Sequence, residues 1–212
     1  MTNKSQTTER DTWLTILRST AAFCEKAFKA DGDVPMSFIV FGSEGEILCF
    51  SVDFADDTHK MKVLEFIAMV GIAADAKGVA ISGQTAMLFL DQREGEDDDS
   101  YRNRALAAGL EGKANWVRGI AATVVYRDDQ GARKVISQSS VVTKDGNGAL
   151  TFGKPDMSAV DATLFGGLVE VMREERPGAA AQREAAAWLM LNAATTMRRL
   201  GIFSVNMEGD AA

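Results

Sequence analysis

Histidine, cysteine and proline are scarce in this chain of 212 residues, which contains one histidine, two cysteines and three prolines. Because His59 is the sole histidine, any Ser-His-Asp or Cys-His catalysis, and any histidine-rich zinc site, would have to use this one residue. Cys24 and Cys49 form no CxxC pair and each lies in an apolar stretch, which favours reduced, packed thiols over a disulfide or a redox centre. The sequence therefore predicts no catalytic residue, no metal site and no cofactor.

An excess of positive charge and long apolar runs are also lacking. Lys and Arg total 23 against 30 Asp and Glu, and the net charge of -7 repels phosphate backbones and anionic membranes. No stretch has the roughly 18 consecutive apolar residues of a transmembrane helix, and the polar start MTNKSQTTERDTW lacks the apolar region of a secretory signal. We therefore predict an acidic, cytoplasmic protein that binds neither membranes nor nucleic acid generically.

The hydrophobic residues, 46% of the chain, are enough for one sizeable core. We expect a single domain over residues 1–212, with a polar N-terminal tail over about residues 1–9 and a short C-terminal tail. Apolar residues recur at helical spacing in four segments. These segments are Trp13 to Phe28, 58–77, about 159–173 and about 180–200.

Between these segments lie β-rich runs joined by short glycine-containing turns, which are typical of antiparallel hairpins. The runs are MSFIVFG, EILCFSVDF, GVAISGQTAMLFL, WVRGIAATVVY, ARKVISQSSVVT and the shorter ALTFG. The resulting order, α-β-β-α-β-β-β-α-α, predicts an α+β fold in which helices flank an antiparallel sheet of about five strands. This order of elements is similar to that of roadblock and profilin-like domains. The resemblance implies a fold of this kind and implies no activity.

The densest charge run, REGEDDDSYRNR, begins at Arg93 and ends at Arg104. Three of its acids, Asp97 to Asp99, are consecutive, whereas calcium loops place carboxylates at alternate positions with a glycine at the sixth. Its arginines neutralise part of the charge, and dense charge favours solvation over burial. We therefore predict a mobile acidic loop over about residues 92–104 and no metal cage.

The helix predicted over residues 58–77 is apolar on two sides. Leu64 and Ile67 lie on a face suited to a sheet, whereas Phe66 lies nearly opposite. The second side must be covered by another helix of the chain or by another molecule. Both alternatives stay open, and the hypothetical interface comprises Phe66, Met69, Ala73, Trp188 and Leu191.

The last helix has its own predicted core face. Five of its apolar residues fall on one side at 3.6 residues per turn. They are Leu189, Met190, Ala193, Met197 and Leu200.

These features favour a non-enzymatic protein-interaction or dimerisation module, whose partner is a copy of itself or another protein. The alternative is an enzyme or small-ligand-binding protein with an acid/base site at the end of the second strand. The candidates for this site are Asp53, Asp56, Asp57 and His59. Helix capping also explains why these residues occur at this place in the sequence.

Overall fold

A computed structural model describes residues 3–88, 93–97, 100, 103–104, 107, 116–146, 148–153 and 178–204. These residues contain three helices and seven strands. In chain order they are α1 (Asn3–Asp31), β1 (Met36–Phe41), β2 (Ile47–Val52), α2 (Asp57–Ala73), β3 (Gly78–Leu88), β4 (Trp116–Arg127), β5 (Arg133–Lys144), β6 (Leu150–Phe152), α3 (Ala179–Arg199) and β7 (Phe203–Ser204). The predicted helix at about 159–173 lies outside the described residues.

All seven strands belong to one antiparallel sheet, in the order β6-β5-β4-β3-β1-β2-β7. The mixed architecture and the antiparallel sheet agree with the sequence-based prediction, and the sheet is somewhat larger than the predicted five strands. Strand β6 corresponds to the run ALTFG. Strand β7, which the sequence did not indicate, pairs Phe203 with Ser51 and Ser204 with Phe50, so the chain after α3 lies along the edge of β2.

The central strands are apolar on both sides because helices cover both faces of the sheet. In β3, Ala80 packs under α1, whereas its neighbours Val79 and Ile81 pack under α2, as the alternation of strand side chains requires. The α1 cluster contains Trp13, Leu17, Ala21, Ala80, Ala122, Val124 and Tyr126. The α2 cluster includes Phe38, Val40, Val63, Ile67, Val79, Ile81 and Val125.

Helix α1 is held on the sheet by aromatic packing. The ring of Trp13 stacks on Tyr126, with centroids 5.1 Å apart, and meets Phe41 edge-on at 5.6 Å. A Cβ at Gly78 would overlap the Trp13 ring, so glycine permits this close approach. The helix already begins at Asn3, so the segment expected to be a polar tail is helical from residue 3 onward.

Helix α2 begins with the capping residue Asp56, whose carboxylate accepts a hydrogen bond of 2.7 Å from the backbone N–H of His59. It ends at Ala73, four residues earlier than predicted. Asp75, two residues further on, adopts a left-handed backbone with φ of 45°, which turns the chain toward the sheet. Gly78 therefore starts β3 and does not terminate the helix.

Candidate functional site

Helix α3 packs against α2 through one side, which we call its inner face. Leu189, Ala193 and Met197 pack on the core cluster of α2 and the sheet. Ala185 is 2% exposed and Leu200 is 5% exposed. Four of the five residues predicted to form the core face of this helix therefore lie against the core.

Met190 is the exception, since its side chain is 89% exposed. Its prediction as a core residue is wrong. It follows Leu189 by one residue, so it points about 100° away from the direction in which Leu189 meets α2. Met197, which lies within about 20° of Met190 on the helical wheel, does pack on the core, so the contact reaches this side of α3 near the C-terminal end of the helix and not at Met190.

The opposite side of α3 carries large apolar side chains in solvent. Leu191 is 83% exposed and Trp188 is 36% exposed. We define the outer face of α3 as the residues within about 60° of Leu191 on a helical wheel. All of them are exposed, and they are Ala180, Glu184, Ala187, Trp188, Leu191, Ala194, Thr195 and Arg198.

Charges of opposite sign lie at the two ends of this face. Glu184 precedes Leu191 by seven residues, and Arg198 follows it by seven. Because seven residues make nearly two helical turns, both charges project from the same side as Leu191. The positive charge of Arg198 lies in the last turn of the helix, where the helix dipole favours it, and the negative charge of Glu184 lies in the second turn. The outer face thus has an apolar centre between two opposite charges.

The five residues of the hypothetical interface do not form one surface. Phe66 is 3% exposed, and its ring meets Phe50 of β2 edge-on at 5.8 Å. It therefore belongs to the core, and its expected position opposite the sheet is wrong. Met69 and Ala73 are partly buried on α2. Trp188 and Leu191 point away from α2 into solvent. The structure therefore separates the α2 residues, which lie within the chain, from the α3 residues, which lie at its surface.

The residues of the alternative acid/base site lie where β2, α2 and the end of α3 meet. The backbone N–H of Ala55 donates to Nδ1 of His59 over 3.0 Å, and Nε2 lies 2.9 Å from the carbonyl oxygen of Leu200. Because Nδ1 accepts a hydrogen bond, Nε2 carries the hydrogen and donates it. Both ring nitrogens are engaged by backbone groups, so His59 ties the start of α2 to the end of α3.

An open cavity of about 610 Å³ lies beside this histidine. Asp53 and Arg199, which are both exposed, contribute charges of opposite sign to its wall, and Val52 and Phe203 contribute apolar surface. Of the four predicted residues, Asp53 and His59 line the cavity. Asp56 instead caps α2, and Asp57 is the first residue of that helix.

Sequence reasoning missed Arg199 as a member of this cavity. No local pattern of the sequence links it to Asp53. Only the turn after Leu200, which leads into β7 on the edge of β2, brings the two together.

In the acidic run, two described carboxylates have partners within the run. Arg104 donates to both oxygens of Glu96, over 2.8 and 2.7 Å, and the backbone N–H of Arg93 donates to the same carboxylate over 2.9 Å. These contacts lower the pKa of Glu96 to about 2. Asp97 accepts from the backbone N–H and the hydroxyl of Ser100. Asp98 and Asp99 lie outside the described residues, and the mobility of this loop stays a prediction.

Two further features of the described residues concern metals and membranes. Within them, no group of three or more His, Cys, Asp or Glu side chains is placed to hold a metal ion. None of the helices in the described part of the chain is long and apolar enough to cross a membrane.

The chain was compared with family models, with curated proteins and with solved structures, and it matches none of them.

Proposed function

We propose that the protein is a non-enzymatic protein-interaction module that binds its partner through the outer face of α3. The observation that carries this proposal is the exposure of Leu191, at 83%, beside Trp188, at 36%, on the outer face of a single helix. Scattered apolar residues are ordinary on protein surfaces, whereas a contiguous group marks an interaction site. Removing such side chains from water is favourable, at roughly 25 cal/mol per Å² of apolar surface.

The way α3 is anchored supports the same function. Its inner face packs on α2, the carbonyl group of its C-cap residue Leu200 meets His59, and β7 ties the following residues to β2. A helix held in this way is already ordered before it binds, so binding costs less conformational entropy. Trp188 adds a residue type that often dominates the binding energy of interfaces. With this function, we expect the protein to act in the cytoplasm, as its sequence predicts.

Photo-crosslinking tests the proposal. A photoreactive residue is introduced at Leu191, and a matched one at Phe23 on α1, which is 59% exposed. We expect protein adducts of discrete mass from position 191 in cells, and we expect Trp188→Asp to abolish them while the circular dichroism of the protein stays unchanged. Position 23 should give no such adducts. The proposal is overturned if position 191 gives none, or if Trp188→Asp leaves them in place.

A second candidate function is the binding of a small ligand in the cavity beside His59. The opposite charges of Asp53 and Arg199 at its wall favour a molecule that carries both a cationic and an anionic group. Because both ring nitrogens of His59 are engaged by backbone groups, this residue shapes the cavity and is not a free base. A nuclear magnetic resonance screen of small zwitterions should then shift the amide signal of Ala55, and Asp53→Asn should remove the shift. If no zwitterion shifts this signal, the candidate fails.

A further inference from the structure

We infer that the partner of the outer face of α3 is a second copy of this chain, and that the two α3 helices pair antiparallel about a twofold axis at Leu191. This inference rests on the function proposed above and names its partner. A twofold pair is closed, because the same surface is used by both copies.

The charges select the antiparallel arrangement. A twofold axis at Leu191 brings Glu184 of one copy next to Arg198 of the other, and the contact occurs twice, since each residue lies seven positions from the axis. A parallel pair would instead bring like charges together at both ends of the face. The two residues are about 21 Å apart along one helix, so they cannot pair within a copy.

Side-chain sizes fit the same arrangement. Trp188 and Thr195 lie on the same flank of Leu191 on the helical wheel, and the axis places Trp188 of one copy beside the smaller Thr195 of the other. On the other flank, Ala187 falls beside Ala194 of the other copy, which keeps the helices close. Helices pack with axes about 8 to 10 Å apart, and these small side chains leave room for the indole at this separation. Leu191 meets its own copy at the axis.

The size of the contact sets the expected affinity. The 21 residues of α3 span about 31 Å. One helix pair of this length buries less than the roughly 1,600 Å² of a standard protein interface. We therefore expect association in the micromolar range, with monomer and dimer in concentration-dependent equilibrium.

Charge reversal tests the pairing of the two ends. Sedimentation equilibrium at low salt should show dimers of the native chain between about 1 and 200 μM. Glu184→Arg and Arg198→Glu should each weaken association about tenfold, because two attractions per dimer become repulsions. The double variant should restore the native dissociation constant. Arg18→Glu on α1, an exposed arginine with the same change of charge, serves as the control and should have no effect beyond that of net charge.

Disulfide trapping is an independent test of whether the two α3 helices pair antiparallel or parallel. In an antiparallel pair, a mixture of Ala187→Cys and Ala194→Cys chains should give mixed disulfides under mild oxidation, in preference to disulfides between identical chains. A parallel pair would instead favour disulfides between identical chains. The native thiols contribute little background, because burial, with a smaller effect of Glu25, raises the pKa of Cys24 to about 11. Burial raises the pKa of Cys49 as well.

The outcomes separate this inference from the proposed function. A native chain that stays monomeric at every concentration, a double variant without recovery, or a preference for disulfides between identical chains would each overturn the antiparallel pair. If position 191 then still gave Trp188-dependent adducts whose mass differs from twice that of the chain, the interaction function would stand with another protein as partner. If those adducts were absent as well, both the antiparallel pair and the proposed interaction function would fail.

Discussion

The two sides of α3 differ in environment although both are rich in apolar residues. Leu189 packs on the core cluster, whereas Leu191, two residues later, is 83% exposed. Helix α2 offers the contrasting case, since it lies between the sheet and α3 and is covered on both sides. In this fold, the place of a helix in the order of layers decides whether its apolar residues form core or remain available to a partner. Composition does not decide it, because, among the elements that the structure describes, α3 packs on its neighbours with one side only.

The strongest way to test this comparison is to truncate one large side chain of each kind. Phe66→Ala should lower the free energy of unfolding by about 3 to 5 kcal/mol, because the buried ring leaves a cavity against Phe50. Leu191→Ala should change it by no more than about 0.5 kcal/mol. Urea unfolding, followed by circular dichroism at concentrations too low for association, measures both values. Similar losses at the two positions would show that Leu191, like Phe66, is packed within the chain.

A smaller effect is expected when side chains are enlarged. Ala185 is 2% exposed on the inner face of α3, whereas Ala187 lies on the outer face. Ala185→Leu should destabilise the protein by about 1 to 3 kcal/mol, because the added atoms must push α3 away from its neighbours. Ala187→Leu has the same change in volume and should leave the thermal unfolding temperature nearly unchanged. Equal effects of the two variants would contradict the assignment of the two faces.

The core stripe of α1 is an example of what periodicity predicts well, whereas periodicity left open whether the second side of α2 is covered within the chain. The apolar positions of α1, at steps of four, four, three and four, are all buried. These positions are Trp13, Leu17, Ala21, Cys24 and Phe28. Such a stripe shows where the neighbouring elements lie, because the side chains that contact the sheet must recur with the helical period.

Periodicity does not say which neighbour covers a face, or how widely. Met190 falls within the apolar sector of α3, yet the contact with α2 ends before it reaches this residue. The short strand β7 carries no pattern of its own, because two residues cannot display a period. The contact of His59 with Leu200 joins residues 141 positions apart, so no local pattern announces it. The candidate sites depend on such distant contacts, which is why the sequence identified some of their residues and not their arrangement.

The smallest expected effect concerns the pKa of Glu96. In contrast to the charges at the ends of the α3 outer face, this side chain already has its partners within the chain. The side chain of Arg104, followed by the backbone N–H of Arg93, lowers the pKa of Glu96 from 4.5 to about 2. Because the folded pKa is depressed, the ion pair contributes fully above about pH 4.5 and is lost as the pH falls toward 2. Arg104→Gln should therefore return the pKa of Glu96 most of the way to its ordinary value, whereas Arg93→Gln, which keeps the backbone donor, should raise it less. Carboxyl carbon chemical shifts measured by nuclear magnetic resonance between about pH 6 and 2 report the titration directly. An unchanged titration in Arg104→Gln would show that this pair does not hold the acidic run together in solution.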